Sequence, residues 1–258
     1  MSIFQQLYKS LYSPKVMARY RFQKIGKSIL YIFLLSLLML IPEMVHLTNL
    51  VRTELSLVER TVQSEIPEFT IEQGELKADI QEPILKNEND FVFLFDPNSE
   101  ELPSSLTHQD GLFFLKHKAI LVSDANNEAY TYSLLNDTKI SKTDVEEFLS
   151  MIRSIYPIAL VVLGVLLYLF DSFIMLFGVT ALAFIGRLIA AQMNRNVNYK
   201  QAWTLTAYSF TIPIVFFMVM KFLSITVLHS FLIFVVVSCF VLFLTLKEIP
   251  PIKEKKNL

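Results

Sequence analysis

Two ionisable residues lie at positions in the sequence where a charge is costly. Asp171 is the one acidic residue within a long apolar block, residues 155–191, and Lys221 ends a later apolar block. An ionisable group inside a membrane is tolerated when it is paired or hydrated, and such groups often serve ion or proton transport. We therefore take Asp171 and Lys221 as candidate intramembrane functional residues that could form an ion pair. The alternative is that Lys221 extends alone to the interface while Asp171 reaches interfacial water.

Other side chains that can bind metals or act in catalysis show no recognised spacing. They are Glu43, His46 and His229 near the predicted outer interface, and His108, Asp110 and His117 in the polar middle of the chain. The first three could form a metal site, but ordinary interfacial polar residues are the simpler interpretation. The single cysteine, Cys239, excludes an internal disulfide framework and multi-cysteine metal centres. Hydrolase, metalloprotease and phosphate-loop motifs are absent, so we predict no catalytic residue, no metal, no cofactor and no enzymatic activity.

The elements that would position these residues are membrane helices. The chain has 258 residues, of which 53% are hydrophobic and 18% are charged, and its mean hydropathy is +0.46. Such a composition is typical of membrane proteins. A spanning helix needs about 20 apolar residues, and four blocks are long enough once their flanking residues are included. They cover residues 28–47, 155–191, 202–220 and 228–246.

The block at 155–191 predicts either one overlong helix or two short spans, and charge decides between them. Residues 1–27 contain six basic residues and no acidic one, so the positive-inside rule places the N-terminus in the cytoplasm. Residues 48–150 carry 20 Asp and Glu against 8 Lys and Arg, a net charge of −12, and are expected outside. With one overlong helix, every later basic cluster also faces the cytoplasm. We therefore predict four spans with both termini in the cytoplasm.

The predicted fold is an α-helical integral membrane protein with four transmembrane helices. A small α+β domain, mainly antiparallel β, is inserted between helices 1 and 2 on the extracytoplasmic side. The predicted segments are a basic, amphipathic cytoplasmic N-terminus (1–27), helix 1 (28–47), the extracytoplasmic domain (48–150), a long helix 2 (151–192), a basic cytoplasmic turn (193–201), helix 3 (202–221), helix 4 (222–247) and a basic cytoplasmic tail (248–258).

The inserted domain is predicted to begin and end as helix, with strands between. Apolar residues recur at helical spacing from Leu47 to Val62. A capping-box pattern, Thr143 with Glu146, starts a helix that continues into the second span. That helix could carry a change in the domain through the membrane, or it could merely anchor the domain. Short β-like runs lie around Gly74 and at 91–96, 111–115, 119–123 and 129–133, the last two forming a predicted hairpin.

The N-terminal segment has an apolar stripe of its own. The stripe comprises Ile3, Phe4, Leu7, Tyr8, Leu11 and Tyr12 and lies beside Lys9 and Lys15. This pattern predicts a helix lying on the inner leaflet of the membrane. A helix that docks onto a partner protein has the same pattern.

Residues 185–216, IGRLIAAQMNRNVNYKQAWTLTAYSFTIPIVF, resemble the centre of a Yip-type membrane domain. The shared features are a long helix ending in small residues, a polar basic turn and an Ala-Tyr-Ser…Pro helix. That helix contains Tyr208 and Pro213 here, which we take as candidate interface residues. LTLKEI at 244–249 is similar to the Leu-(Arg/Lys)-Glu ending of that superfamily. Many of those proteins have a fifth span, whereas we predict four spans here.

A second resemblance covers nearly the whole chain. The stretch YSPKVMARYRFQKIGKSILY at 12–31, Ile-Pro at 41–42 and Gly74-Glu75-Leu76 in an acidic insert resemble an uncharacterised family of membrane proteins from Gram-positive bacteria. Some members of that family carry the label maltodextrin utilisation protein. The resemblance implies a bacterial plasma-membrane location and a link with sugar uptake, but no activity and no catalytic residues.

The predicted function is therefore a non-enzymatic extracytoplasmic sensor, adaptor or scaffold. The alternative is a transport component that uses Asp171 in a polar path between helices. The expected partners are the lipid bilayer, a sugar ABC transporter or other envelope protein, and a second copy of the chain, with no nucleic acid. A maltodextrin site would need an aromatic platform, for which the insert offers Phe113, Phe114, Tyr130 and Tyr132.

Overall fold

The chain forms two compact units. The computed structural model describes residues 1–88, 91–123, 126–135 and 138–251, so most of the predicted basic tail lies outside the described residues. The helical unit comprises Met1–Asn49 with Ile158–Leu258, and the insert unit comprises Leu50–Pro157.

Within the described residues, seven α-helices and one 3-10 helix build the helical unit and both ends of the insert unit, and a second 3-10 helix, Tyr132–Leu135, lies within the insert. They are α1 (Ile3–Ser10), α2 (Pro14–Arg19), the 3-10 helix Tyr20–Phe22, α3 (Ile25–Ser64), α4 (Lys142–Gln192), α5 (Tyr199–Ser209), α6 (Thr211–Phe222) and α7 (Ser230–Lys247).

Four helical stretches among the described residues are long and apolar enough to cross a membrane. They are Ile25–Ser64, Lys142–Gln192, Tyr199–Phe222 and Ser230–Lys247. Their number and order confirm the four apolar helices predicted from the sequence. The most apolar part of Tyr199–Phe222 is 56% buried, whereas the most apolar part of α4 is only 17% buried. The third stretch is therefore central to the helical unit, whereas α4 leaves most of its apolar surface uncovered.

The two helices that flank the insert continue without a break into apolar stretches. Helix α3 has 40 residues and α4 has 51, which at 1.5 Å per residue gives lengths of roughly 60 and 75 Å. The block at 155–191 is thus one long helix rather than two short ones. The helical start predicted for the insert, through Val62, is also confirmed because α3 ends at Ser64.

The third apolar stretch is broken in the middle, which the sequence analysis did not predict. Helix α5 ends at Ser209 and α6 begins at Thr211, with Phe210 between them. Pro213 has no N–H to donate to the carbonyl of Ser209 four residues earlier, so one helical hydrogen bond is missing at the break. The side chain of Thr211 donates instead to the carbonyl of Tyr208 over 2.7 Å.

Glycines on α4 mark where other helices approach closely. Added Cβ atoms at Gly164 and Gly178 would lie 3.2 Å from Met44 and 3.6 Å from Phe210. At Gly186 the added atom would lie only 2.7 Å from a side-chain carbon of Leu242. Small residues allow close helix packing in membranes, where burial of apolar surface gives little driving force. The covered side of this long helix is therefore its glycine side.

The residues of the insert unit that the structure describes form two β sheets. Strands β1 (Phe69–Glu72), β2 (Glu75–Ala78) and β8 (Ile140–Ser141) form a three-stranded sheet in the order β2-β1-β8. Strands β3 (Ile84–Glu88), β4 (Phe91–Asp96), β5 (Gly111–Leu115), β6 (Lys118–Ser123) and β7 (Asn126–Thr131) form the second sheet in sequential order. The first and last strands of the insert pair with each other, Ile71 opposite Ile140.

Both faces of the larger sheet are covered. Phe93 and Phe95 pack in a cluster with Val62 of α3 and Leu149 of α4. On the other face, Leu94 packs in a cluster that includes Leu106 from the β4–β5 connection. The alternation of these buried side chains along β4 explains why its sequence, FVFLFD, is apolar almost throughout.

The predicted strands are largely confirmed, but β3 and β8 were not predicted, and three further details of the insert differ. The hairpin is present as β6 paired with β7, but β7 ends at Thr131 and Tyr132 begins the short 3-10 helix. Strands β4 and β5 pair in parallel, where an antiparallel sheet was predicted. The cap of α4 is formed by Ser141 and Asp144, each accepting from the other's backbone N–H, and not by Thr143 and Glu146.

Candidate functional site

Lys221 forms an ion pair with a residue other than Asp171, the partner considered from the sequence. Lys221 at the end of α6 donates to the carboxylate of Glu43 in α3, with 2.9 Å between Nζ and Oε2. Within the described residues, no hydrogen bond or ion pair joins Asp171 to Lys221. Asp171 nevertheless lies within electrostatic range of both Glu43 and Lys221. Two acids and one base therefore share this region of the helical unit.

The partner change follows from the positions of the side chains on their helices. Glu43 follows Pro42 in α3, and its side chain is 39% exposed, as that of Lys221 is 42% exposed. The two flexible side chains therefore meet at the surface of the unit. Asp171 is half-buried on α4 between Phe170, which is exposed, and Ser172, which is buried. Glu43 was identified in the sequence only as part of a metal-site alternative.

The histidines near this region form no metal site in the described part of the chain. No group of three or more His, Cys, Asp or Glu side chains is close enough to hold a metal ion there. His229 has a left-handed backbone conformation, with φ of 55°, and precedes the first residue of α7. Its position serves the turn between α6 and α7, as expected for a short connection.

Tyr208, a candidate from the sequence, lies at the centre of a buried polar cluster that the sequence analysis did not identify. We call this the tyrosine cluster; its rings are those of Tyr20, Tyr31 and Tyr208. The ring of Tyr208 lies 4.6 Å from that of Tyr20 and 4.2 Å from that of Tyr31, between centroids. The three tyrosines are at most 5% exposed. They come from the 3-10 helix, α3 and α5, so the cluster joins three separate elements.

Hydrogen bonds connect the tyrosine cluster to the N-terminal helix. The hydroxyl of Tyr208 donates to Gln6 Oε1 over 2.8 Å, and Gln6 Nε2 donates to Gln23 Oε1 over 3.0 Å. Tyr31 shares a bond of 2.6 Å with Thr211. Because the Thr211 hydroxyl already donates to the carbonyl of Tyr208, Tyr31 must be the donor in that bond. The network thus runs from α1 through α5 to α3.

Four polar atoms around the tyrosine cluster are buried and form no hydrogen bond of ordinary geometry among the described residues. They are Ser10 Oγ, Tyr20 OH, Gln23 Nε2 and Ser28 Oγ. Most buried polar atoms in proteins form hydrogen bonds, so these four are exceptions. Their presence makes this region unusually polar for the interior of an apolar helical unit. Burial, and to a smaller extent Tyr12, raises the pKa of Tyr20 to about 12, so its hydroxyl keeps its proton at neutral pH.

The cluster exists because polar residues interrupt apolar patterns at matching positions. Ser28 and Tyr31 lie one turn apart at the start of α3, and both are fully buried. Gln6 lies on α1, which is capped by a reciprocal pair of bonds between Ser2 and Gln5. A sequence signal was present, since Gln6 and Ser10 are polar residues four positions apart beside an apolar stripe, but their interior location could not be inferred from spacing alone.

The two candidate interface residues, Tyr208 and Pro213, are both buried inside the helical unit. The ring contacts and the hydroxyl hydrogen bond of Tyr208 are with other helical elements of the same chain. Pro213 ends the continuity between α5 and α6, and Tyr208 holds the tyrosine cluster. Both therefore support the central broken stretch rather than an exposed surface of the described chain.

The insert unit has a shallow, open cleft along its smaller sheet. The cleft has a volume of about 460 Å³ and is lined by Glu68, Phe69, Thr70, Lys77, Ala78, Asp79 and Ser141. Of the four aromatic residues proposed for a sugar platform, Phe113 and Tyr132 are buried and Phe114 is half-buried, whereas Tyr130 is exposed. The four residues therefore present no continuous aromatic surface to a sugar.

His108, Asp110 and His117 do not converge either. His117 lies 3.9 Å from Glu75 and 4.0 Å from Glu100, with a further contact of 3.3 Å between Nδ1 and the carbonyl of Gly74. These contacts tie the β1–β2 turn to the larger sheet. The arrangement has neither a nucleophile nor a base aligned with one, so we assign it a structural role.

Comparison with known proteins identifies the family. The family described as "Protein of unknown function (DUF1189)" matches residues 4–246, which is nearly the whole chain, and the chain therefore belongs to it. No curated protein and no solved structure matches the chain.

Proposed function

We propose that this member of the DUF1189 family is a non-enzymatic integral membrane protein that acts as an extracytoplasmic sensor, adaptor or scaffold for a membrane complex. One observation carries the proposal. The helices that leave and re-enter the helical unit, α3 and α4, continue unbroken into the insert unit. A domain held on two continuous helices is suited to pass a binding event to the membrane region.

The proposed setting is the bacterial plasma membrane, with both termini in the cytoplasm and residues 48–150 outside. The charge distribution supports this orientation, since residues 1–27 are purely basic in charge and residues 48–150 have a net charge of −12. The large uncovered apolar surface of α4 also suits contact with lipid chains.

Polar contacts within the insert unit clamp the two helices together. The guanidinium of Arg153 on α4 donates to the carboxylate of Glu59 on α3 over 2.8 Å. The buried ammonium of Lys142 donates to the carbonyl of Ile66 over 2.7 Å, just past the end of α3. A cation at a helix C-terminus also interacts favourably with the helix dipole. Movement of one helix in the insert is therefore expected to move the other.

A link to maltodextrin uptake rests on the family resemblance alone. Because the insert lacks a continuous aromatic platform at the proposed positions, we favour an adaptor that contacts a sugar ABC transporter or another envelope protein over direct binding of the sugar.

The adaptor proposal is tested by crosslinking in the native membrane followed by capture of the tagged protein. In a matched variant, residues 67–140 are replaced by a Gly/Ser linker, which retains α3 and α4 whole. We expect a transporter or envelope enzyme to be recovered with the wild-type chain and lost with the variant. Recovery of the same proteins with both chains, or of the protein alone, would contradict an adaptor role for the insert.

A second function, transport of an ion or proton, is favoured by one observation. Asp171 lies within electrostatic range of the Glu43–Lys221 pair, so three ionisable groups are gathered in apolar helices. In this alternative Asp171 accepts and releases the transported proton or cation in a polar path between helices.

Replacing Asp171 with Asn separates the two functions. Asn preserves the size of the side chain but cannot carry a charge, so transport into proteoliposomes should be abolished in D171N. An adaptor should retain its captured partners in the same variant. Ser172→Ala, at the neighbouring position, controls for general effects of altering this part of α4.

A further inference from the structure

We propose that the N-terminal segment, residues 1–27, binds the headgroups of anionic phospholipids through an outward-facing aromatic and basic surface. The surface, called the basic–aromatic surface below, consists of Phe4, Tyr8, Tyr12, Lys15, Arg19, Phe22 and Lys24. This inference does not depend on any role of the insert, but it rests on the proposed insertion of the helical unit in a bilayer.

Helix α1 presents two aromatic residues outwards and two polar residues inwards. Phe4 and Tyr8 are 71% and 63% exposed, whereas Gln6 and Ser10 are buried. The bond from Tyr208 to Gln6 fixes this orientation. The apolar stripe predicted from the sequence is therefore divided, since its other members Ile3 and Leu7 pack on the core. The surface of a soluble protein would not be expected to expose such a row of aromatic rings.

The surface continues beyond α1. Tyr12 and Phe22 are 54% and 72% exposed. Each carries a cation over its ring, with Lys9 Nζ 5.2 Å from the Tyr12 centroid and the Arg21 guanidinium carbon 4.3 Å from the Phe22 centroid. Aromatic rings with a polar or charged edge favour the boundary between headgroups and acyl chains.

The position of the segment in the fold places this surface at the ends of apolar helices. Phe22 lies three residues before Ile25, where α3 begins. Helix α2 packs at the end of α7, where Ala18 shares a buried cluster with Leu242 and Leu246. The segment therefore lies where three candidate spans begin or end, since α5 contacts the same cluster through Ala202. In a bilayer, the ends of spanning helices lie at the boundary between membrane and water.

Charge complementarity selects an anionic lipid over a neutral one. Six basic residues and no acidic one occur in residues 1–27. Lys15, Arg19 and Lys24 are exposed, and no salt bridge joins them to an acid in the described part of the chain. Glu248 at the end of α7 is preceded by Lys247, so it does not reverse the local balance. Basic residues at a membrane surface are attracted to anionic headgroups and act together.

The test uses the full chain in nanodiscs of phosphatidylcholine alone or mixed equally with phosphatidylglycerol. Native mass spectrometry measures which lipid is retained, and hydrogen exchange measures protection of residues 4–12. We expect preferential retention of phosphatidylglycerol, slower exchange in its presence, and loss of both effects at high salt.

A triple variant, Lys15→Gln with Arg19→Gln and Lys24→Gln, removes the exposed cations. At roughly fivefold per cation, the preference for phosphatidylglycerol should fall on the order of a hundredfold. The matched control is Lys77→Gln with Lys86→Gln and Lys139→Gln, which makes the same charge change on exposed lysines of the insert and should retain the preference.

Equal retention of the two lipids by the wild-type chain, or equal losses in the two triple variants, would overturn the inference. So would protection of residues 4–12 that appears only when native membrane proteins are added, since that result would identify a protein partner. Membrane insertion itself is scored independently, by whether the chain stays with the bilayer after an alkaline carbonate wash.

Discussion

Lys221 Nζ lies 2.9 Å from Glu43 Oε2, which joins the end of α6 to the middle of α3. The contact connects the first apolar helix to the third across 178 positions of sequence. It is made by two partly exposed side chains, so its contribution to stability is expected to be small. Asp171 lies near the pair without joining it.

Charge reversal tests this contact. Glu43→Lys and Lys221→Glu should each destabilise the helical unit by about 0.5–1 kcal/mol, because each places like charges together. The double reversal should regain most of the loss, since it restores an opposite pair. Thermal unfolding of the four chains in detergent gives the coupling between the two positions. Additive effects in the double variant would show that the pair contributes nothing.

The tyrosine cluster predicts opposite effects for two similar substitutions. Tyr208→Phe removes the donor to Gln6 and leaves a buried amide oxygen unpaired, at a cost of about 1–3 kcal/mol. Tyr20→Phe removes a buried hydroxyl that has no partner among the described residues, so it should be neutral or stabilising. Thermal unfolding of both variants in the same detergent makes the comparison. A larger loss for Tyr20→Phe than for Tyr208→Phe would contradict the network described above.

The glycines of α4 predict a difference between two Gly→Ala changes on one helix. Gly186→Ala brings a methyl group 2.7 Å from the buried side chain of Leu242 and should cost about 1–3 kcal/mol. Gly178→Ala, whose nearest neighbour lies at 3.6 Å, is the matched control and should be tolerated. A second variant, Gly186→Ala with Leu242→Val, should recover part of the loss. Equal stability of the two single variants would show that Leu242 adapts freely.

The ion pair between α3 and α4 predicts an asymmetric result. The Glu59 side chain is 11% exposed and that of Arg153 is 67% exposed. Arg153→Met therefore leaves a nearly buried carboxylate unpaired and should destabilise the insert by about 3 kcal/mol. Replacing both residues by Met should cost less, because no charge is stranded. Urea unfolding of the insert, monitored by near-UV circular dichroism, measures the stability of both variants. A double variant that is less stable than Arg153→Met would contradict this account.

The buried hydroxyl of Tyr132 should make the stability of the insert depend on pH in the alkaline range. Burial raises the pKa of Tyr132 above its ordinary value of 10.0. Above that pH the unfolded chain loses the phenol proton while the folded insert retains it, so unfolding releases a proton and stability falls as pH rises. The slope from this group approaches about 1.4 kcal/mol per pH unit. Below pH 10 the group has no such effect.

Tyr132→Phe should remove that part of the slope. It should also stabilise the insert at neutral pH, because the Tyr132 hydroxyl is buried and has no partner among the described residues. Urea titrations of both chains on either side of pH 10 make the measurement. Parallel pH profiles for the wild-type chain and the variant would show that Tyr132 ionises as freely in the folded insert as in the unfolded chain.

Sequence patterns were sufficient where a single element carried its own signal. Long apolar blocks identified the four apolar helical stretches, and short apolar runs separated by turn residues identified β4, β5 and the β6–β7 hairpin. The turn of β1 and β2 was marked by Gly74, which has φ of 79° beside Gln73 at 53°. Glycine readily adopts such angles, so its position is informative.

Patterns were insufficient where the answer depends on which elements meet. The pairing of Lys221 with Glu43 was not predicted because the two residues lie on different helices, and spacing within one helix does not identify a partner on another. The tyrosine cluster was missed for the same reason, since Gln6, Tyr31 and Tyr208 come from distant parts of the chain. The parallel pairing of β4 with β5 likewise depends on the path of the intervening connection.

The pairing of β1 with β8 has a consequence for the order of synthesis. Ile71 meets Ile140, a residue made 69 positions later and just before α4 begins. While only the first seven strands have been synthesised, β1 at the edge of the smaller sheet still lacks its partner β8. The insert closes on itself only as the next apolar helix starts to emerge from the ribosome. Completion of the insert is thereby timed to the arrival of the second apolar helix.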